Sequence, residues 1–357
     1  MKASVLAPAA LLRLVFVSAI CMPLAHGQTA GQSQKSGNDA IYMYRGADRA
    51  ERLVEKATQE GSVIIYTSLA PTESNAVAQA FERKYGIKVE LWRAVSEKVL
   101  QRTISEARAR RYTVDVIETN GVPDLEILMR EKLLSEFYSP YIADLPPFAV
   151  PSHKQWVSDR MQFFVVGYNT NKVKKEELPK SYDGFLDPKW QGRLGIEAND
   201  AAWLATIVQL SGEERGMAFF RKLGEMRPDV RKGHILLAEL IAAGEIQVGL
   251  TVYNSHAEAL KKKGAPIDWV PVEPVVALPQ AIAVARQAPH PHAALLFADF
   301  VLSPEGQELF AKLGRVPASL KVKSSLNNFR YSLVDAAVVV DESEKWDKVW
   351  NEIFLKR

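Results

Sequence analysis

Residues 62–92 read SVIIYTSLAPTESNAVAQAFERKYGIKVELW. Residues 62–66 form a short apolar run bounded by turn residues, the pattern of a buried strand. Residues 67–71 make a loop. Residues 73–85 then carry Val77, Ala80 and Phe81 at helical spacing, and Gly86 stops the helix. Residues 87–92 alternate apolar and polar, as a second strand does. Strand, helix and strand in this order form a parallel pair with a helix crossing over it.

The same alternation continues outward. Ser96 is placed to cap a helix running to about residue 110, and residues 114–117 read as a third strand. Four prolines between Pro140 and Pro151 mark a change of organisation. The apolar stretch at 161–168 (MQFFVVGY) is long enough to leave one sheet and enter another. A second βα series follows: a strand at 192–196, helices at 201–210, 213–224 and 235–243, and a strand at 246–252 that delivers Tyr253. Residues 277–285 (ALPQAIAVA) form a returning strand. Two helices come next, the second opened by Ser303 as cap and Pro304 at its first position. Residues 341–355 read as one amphipathic closing helix. The expected fold is α/β with two lobes, each with a mainly parallel sheet, joined by a hinge of two crossing strands. Lobe 1 takes residues 41–160 and 278–357, and lobe 2 takes 161–277. Ligands in such sheets bind at the C-terminal ends of the strands, here in the interlobe cleft.

Composition and the N-terminal segment point to an exported chain. Lys2 and Arg13, the uncharged apolar run 14–24 and Ala25-His26-Gly27 have the charge, apolar and small-residue order of a secretory signal peptide. Residues 1–27 are therefore expected to be removed, and 28–40, rich in Gln, Ser and Gly, to form a flexible leader. A lipoprotein reading would acylate Cys21, but Ile20 before it is large for that signal. Cys21 is the single cysteine, so the mature chain has no disulfide, thiolate metal site or cysteine nucleophile. Loss of Lys2 and Arg13 lowers the formal charge of +3 by two, which leaves no basic surface suited to nucleic acid. No later segment is long and apolar enough to cross a bilayer as a helix. There is no G-x-S-x-G elbow, H-E-x-x-H or phosphate-binding P-loop, so an enzyme is not expected.

Five stretches in order resemble the periplasmic solute-binding proteins grouped with ferric-iron-binding proteins (extracellular solute-binding protein family 1). They are VIIYTSL with VAQAFERKYGIKVE, VDVIETNGVPDLEIL, DPKWQGRLGIEANDAAW, LLAELIAAGEIQVGLTVYNSHAEALKKKGAP and APHPHAALLFADFVLSPEGQELFAKLGRVP, spread over residues 62–317. The resemblance implies a periplasmic-binding-protein-like fold of type II. It also implies the solute-binding component of an ABC transporter, which captures a small polar solute and delivers it to an inner-membrane permease. The alternatives are a ferric-iron or ferric-chelate binding protein, or a ligand-presenting partner of a membrane sensor kinase. Neighbouring permease or kinase genes would separate import from sensing. A monomer without cofactor is expected.

In this family iron is usually held by two adjacent tyrosines with a histidine and a glutamate. Tyr253 matches the first tyrosine, and would be the metal ligand if ferric iron binds, but Asn254 follows it. The loop at 67–71 has no histidine, Asn120 stands where glutamate would be, and Glu118 is two residues earlier. The family's anion site lies at the start of the second-lobe helix, where free N–H groups gather. Here that start is Asn199-Asp200, and a capping Asp200 carboxylate would compete with an anion and favour a ligand carrying an amine or hydroxyl. Position at strand ends adds Tyr66, Thr67, Ser68, Arg93 and Thr119. Trp203 in the first turn of the second-lobe helix and Glu273 before the return strand complete the candidate set. His256, one helical turn after Tyr253, is a further possibility. His290 and His292 have metal-like spacing but open a helix on the outer face.

Overall fold

The computed structural model describes residues 37–356. The expected signal peptide and most of the expected leader lie outside the described residues. The end of that leader does not fit the flexible reading. Residues Asp39–Tyr42 form a first helical turn, α1. Tyr42 is buried and donates its hydroxyl to the Ala285 carbonyl at 3.0 Å, while Asn38 donates to Ala288 O at 3.1 Å. One buried aromatic and a side-chain amide anchor this segment.

The strands are β1 (Ser62–Thr67), β2 (Lys88–Arg93), β3 (Val116–Thr119), β4 (Leu134–Ser135), β5 (Val157–Asn169), β6 (Leu194–Glu197), β7 (Asp229–Arg231), β8 (Val248–Tyr253), β9 (Ile267–Val270), β10 (Val276–Ala285), β11 (Val316–Pro317) and β12 (Ser332–Leu333). The helices after α1 are α2 (Arg49–Glu60), α3 (Pro71–Tyr85), α4 (Ser96–Arg108), α5 (Val122–Arg130), α6 (Ala201–Ser211), α7 (Glu213–Glu225), α8 (His234–Ala243), α9 (Asn254–Lys262), α10 (Pro291–Leu302), α11 (Pro304–Lys312), α12 (Ala336–Asp341) and α13 (Ser343–Trp350).

The main strand order is β2-β1-β3-β10-β5-β8-β6-β7. β2, β1 and β3 are mutually parallel, as are β8, β6 and β7. Between these parallel sets run β5 and β10, paired antiparallel from Val276↔Phe164 to Ile282↔Val157, with a register shift between Gln280 and Ala281. Their length lets both belong to each side, and they are the two crossing strands of the hinge.

Each side has its own core. The first gathers Val63, Ile65, Phe81, Val116, Ile117 and Val157 with Ile282, Phe297 and Phe300. The second gathers Phe164, Val166, Ile196, Trp203, Phe220 and Leu250. It also takes Trp346, Trp350 and Phe354 from the C-terminal segment, so the expected assignment of all of 278–357 to the first lobe is corrected here. The cause is local. Trp350 donates its indole N–H to Ala198 O at 2.6 Å, and α13 packs on α6. A third cluster, on Phe163, Val165, Leu237 and Ile241, draws in Leu326, Phe329 and Tyr331. The chain therefore passes between the lobes again after β11.

Ser96 is not the cap of α4. Val95 precedes the helix without a side-chain bond, and the Ser96 hydroxyl lies 2.9 Å from that of Ser68 instead. Ser303 does cap α11, accepting from Gly306 N at 3.3 Å.

At the entrance of β5, Arg160 is fully buried with Glu118 and Asp159, each 2.6 Å from its Nη1. Burial pushes both carboxyls up. Glu118 rises to about 8 despite the opposing pull of Arg160, with Asp159 adding to the rise. Folded Glu118 thus keeps a proton that the unfolded carboxyl loses near 4.5. Its contribution to stability is complete below that value and is lost as pH climbs through about 8. The urea midpoint is expected to fall between roughly pH 5 and 8.5, and less so in Glu118→Gln. An equal fall in the variant would remove Glu118 as the source.

Candidate functional site

β8 ends on Tyr253 and α9 starts at the next residue, which places this ring at the C-terminal edge of the second lobe's sheet. The ring is 7% exposed. It stacks on His234 at 3.7 Å with 23° between planes and meets Phe164 edge-on at 5.2 Å. His234 opens α8 immediately after Gly233, whose φ of 111° is a conformation that side chains with a Cβ rarely adopt.

Three polar side chains converge beneath Tyr253. Glu197, the last residue of β6, accepts from Gly233 N at 2.8 Å and Asn199 N at 2.5 Å. Its own N–H donates to Thr251 Oγ1 at 2.9 Å. Asp200 stands before α6 but makes no cap bond. Its Oδ1 lies 3.3 Å from His234 Nε2, and its Oδ2 is buried without a hydrogen-bond partner among the described residues. The expected capping role of Asp200 is therefore corrected: the imidazole, brought in by α8, draws the carboxylate away from the helix N–H groups. His234 Nδ1 lies 3.0 Å from Thr251 O. A carbonyl can only accept, so Nδ1 carries the proton and Nε2 faces Asp200.

Charge in this corner is biased negative. Burial raises the Glu197 carboxyl, and nearby Asp200 raises it further. Burial also pushes the Tyr253 hydroxyl well above the usual phenol range, with Asp200 and Glu197 adding to the rise. For His234, burial favours the neutral ring, but the Asp200 charge and hydrogen bond outweigh it and the pKa rises.

A second group ties the lobes together. Arg315, which follows α11, donates through Nε to Glu73 Oε1 on α3 at 2.8 Å and through Nη1 to Ser255 Oγ on α9. Ser255 Oγ donates onward to Gln162 Oε1 at 2.7 Å. His256 Nδ1 is buried without a hydrogen-bond partner among the described residues, and burial, then Arg315 and His234, hold its pKa well below the ordinary value.

The first-lobe candidates divide. Thr67, Ser68 and Asn120 come together. Ser68 Oγ accepts from Asn120 N at 2.7 Å, and Asn120 donates through Nδ2 to Ser68 O at 2.8 Å. Asn120 Oδ1 accepts from Gln280 at 3.0 Å and Arg160 at 3.2 Å, and Thr67 Oγ1 donates to Glu118 at 3.2 Å. Thr119 donates to Gly121 O at 2.9 Å. Arg93 donates through Nε to Leu69 O at 3.0 Å and is otherwise exposed. Glu118 is held by Arg160 and is not presented as a ligand.

Four candidates point elsewhere. Tyr66 donates to Glu106 at 2.8 Å and packs under Arg102 of α4. Trp203 is fully buried between Tyr182, at 5.4 Å, and Phe220, at 5.1 Å. Asn254 is buried and donates to Leu326 O at 2.8 Å. Glu273 is exposed on its loop and pairs by backbone with Ser181. Asn199 contributes its N–H to Glu197 while its side chain is exposed. His290 and His292 bond Asp115, at 2.9 Å, and Glu60, at 2.7 Å, and fasten α10 to the first lobe. Glu197, His234, Arg315 and Glu73 were not foreseen. A weak signal existed for His234, since Gly233 directly before an apolar helix marks an unusual backbone turn.

Residues 76–327 match the family described as bacterial extracellular solute-binding protein. The chain is 28% identical over 312 residues to the major ferric iron-binding protein of Neisseria meningitidis serogroup B, spanning 82% of this chain and 93% of that protein. Iron-bound HitA from Pseudomonas aeruginosa superposes with a TM-score of 0.73 at 20% identity, covering 82% of this chain and 99% of HitA. The periplasmic binding protein AfuA from Actinobacillus pleuropneumoniae, with fructose-6-phosphate bound, gives 0.72 at 24% identity, covering 82% and 98%. The fold is that of the type II periplasmic binding proteins, and these relatives are binding proteins rather than enzymes. With a family match over 76–327, more than half of its length, this chain belongs to the bacterial extracellular solute-binding proteins.

Proposed function

We propose that the chain is the periplasmic solute-binding component of an ABC importer. It would close on a small polar solute in the interlobe cleft and deliver it to a membrane permease. The observation that carries this reading is the buried Tyr253 at the end of β8, flanked by Asp200 with an unpartnered oxygen and by the Arg315–Ser255 bond between the lobes. A ring wall and a few converging polar groups are what a small-solute site requires. The charge pattern favours a solute that donates from an amine or hydroxyl to Asp200. The residues at 1–27 support export.

A ferric or ferric-chelate cargo is the second reading. The name of the Neisseria relative and the place of Tyr253 favour it. Against it, Asn254 stands in place of the family's second tyrosine and turns toward Leu326, and Asn120 stands in place of its glutamate and is consumed by Ser68, Arg160 and Gln280.

The test is a thermal-shift screen of amines, amino acids, sugar phosphates, phosphonates and ferric citrate on the purified chain. A true ligand at a hundred times its Kd is expected to stabilise the fold by about 2.7 kcal/mol, without turnover. Tyr253→Ala is expected to abolish that gain. No shift with any class, or a shift untouched by Tyr253→Ala, would overturn the reading. A coloured ferric complex lost in Tyr253→Phe would select the iron cargo.

A further inference from the structure

We infer that Glu197, Asp200 and His234 form a binding site for one divalent transition-metal cation in the wall of the second lobe. One ligand atom from each of the three lies within 4.8 Å of the others. Metal–ligand bonds of about 2.0–2.2 Å put neighbouring ligand atoms roughly 3–4 Å apart, so a small inward movement brings all three onto one ion. The donors come from three elements that the fold holds independently: the end of β6, the residue before α6 and the first residue of α8.

The surroundings are those of ligands prepared for a metal. His234 donates its Nδ1–H to the Thr251 carbonyl, which leaves Nε2 as the atom aimed into the cluster. A ligating imidazole almost always has this kind of outer partner. Glu197 is oriented by two backbone N–H groups, from Asn199 and Gly233. Asp200 Oδ2 is the independent sign that something is to be bound. The side chain is 4% exposed, and this oxygen has no hydrogen-bond partner among the described residues. A buried carboxylate oxygen without a hydrogen bond is costly unless a cation or donor answers it.

The donor set selects the ion. One imidazole nitrogen with two carboxylate oxygens suits Mn²⁺, Fe²⁺, Co²⁺ or Zn²⁺. Tyr253, stacked on the face of His234, is not among these three donors. Three protein donors leave coordination positions for water or for an oxygen of a solute. The inference shares the unpartnered Asp200 oxygen with the solute reading, and the two are told apart by ligand: solute binding by metal-free protein would leave the transport proposal intact, and metal binding without any solute would leave this one intact.

The experiment uses the full mature chain, stripped with chelator and titrated with ZnCl₂ and MnCl₂ by calorimetry and thermal melting. The expected result is one saturable equivalent and a raised melting temperature, with no visible charge-transfer band. Asp200→Asn and His234→Gln should each weaken binding by about 100-fold or more, beyond the 10–100-fold typical of outer-partner changes. Anomalous diffraction from wild-type crystals soaked in Mn²⁺ or Zn²⁺ gives a readout that does not depend on the variants folding. A peak within bonding distance of all three residues supports the site. No saturable equivalent, binding unchanged in both variants, or a peak elsewhere overturns it.

Discussion

Arg160→Met is expected to destabilise the protein by about 3–5 kcal/mol, the usual cost of removing one partner from a buried ion pair. Arg160 is fully buried, and its Nη1 lies 2.6 Å from both Glu118 and Asp159. Its Nη2 donates to Asn120 at 3.2 Å, and the guanidinium carbon lies 5.4 Å from the Phe310 ring. Met fills similar volume but leaves two carboxyls facing each other out of water. Each already has a raised pKa, burial being the main cause, so the variant should suffer more as pH rises. Urea unfolding checks this. The triple change Arg160→Met, Glu118→Gln, Asp159→Asn should recover most of the loss, because it removes the uncompensated charge with the cation. Strictly additive losses would refute the network.

The second large effect lies at the far end of the chain. Trp350→Ala is expected to cost about 3–5 kcal/mol, as large-to-small changes at buried aromatics do. Trp350 is 2% exposed, its ring lies 4.6 Å from Phe354, and its indole bonds Ala198. Trp350→Phe should keep most of the packing and lose about 1 kcal/mol with the hydrogen bond. Protease cleavage should appear first within the second lobe. If Trp350→Ala melts with the wild type, the C-terminal segment is not part of that core.

The α/β architecture was legible because several of its strands are buried along most of their length and read as apolar runs, such as VIIY in β1 and QVGLTV leading into β8. The long crossing strands were legible for the same reason. The site was legible only in part. Strand ends announce the cleft edge but not which face a side chain takes. Tyr66 and Thr67 are neighbours at one strand end, yet Tyr66 turns to Glu106 on α4 while Thr67 turns to Glu118. Trp203 sits early in α6, but helical periodicity carries it onto Phe220. Asp200 was recognised and its partner was not. Capping is a local property, whereas His234 reaches it only through the sheet order that sets β6 beside β7 and β8. Arg315 and Glu73 meet across the fold from distant parts of the chain, and nothing in either local stretch announces the pairing.

The interleaved cores bear on the order in which the molecule can form. The first core needs residues from Tyr42 to Val157 together with Ala281 to Ala318, and the second needs Phe164 to Leu278 together with Val334 to Phe354. Synthesis runs from the N-terminus, so the first lobe lacks β10, α10 and α11 until all of the second lobe's βα units have been made. The second lobe then waits for three aromatics in the closing helical segment. Non-local closures of this kind are slow to nucleate. Neither core can therefore be completed until residues near 318 and 354 have been made, a delay that would suit the proposed periplasmic role, in which the chain crosses a membrane before it folds.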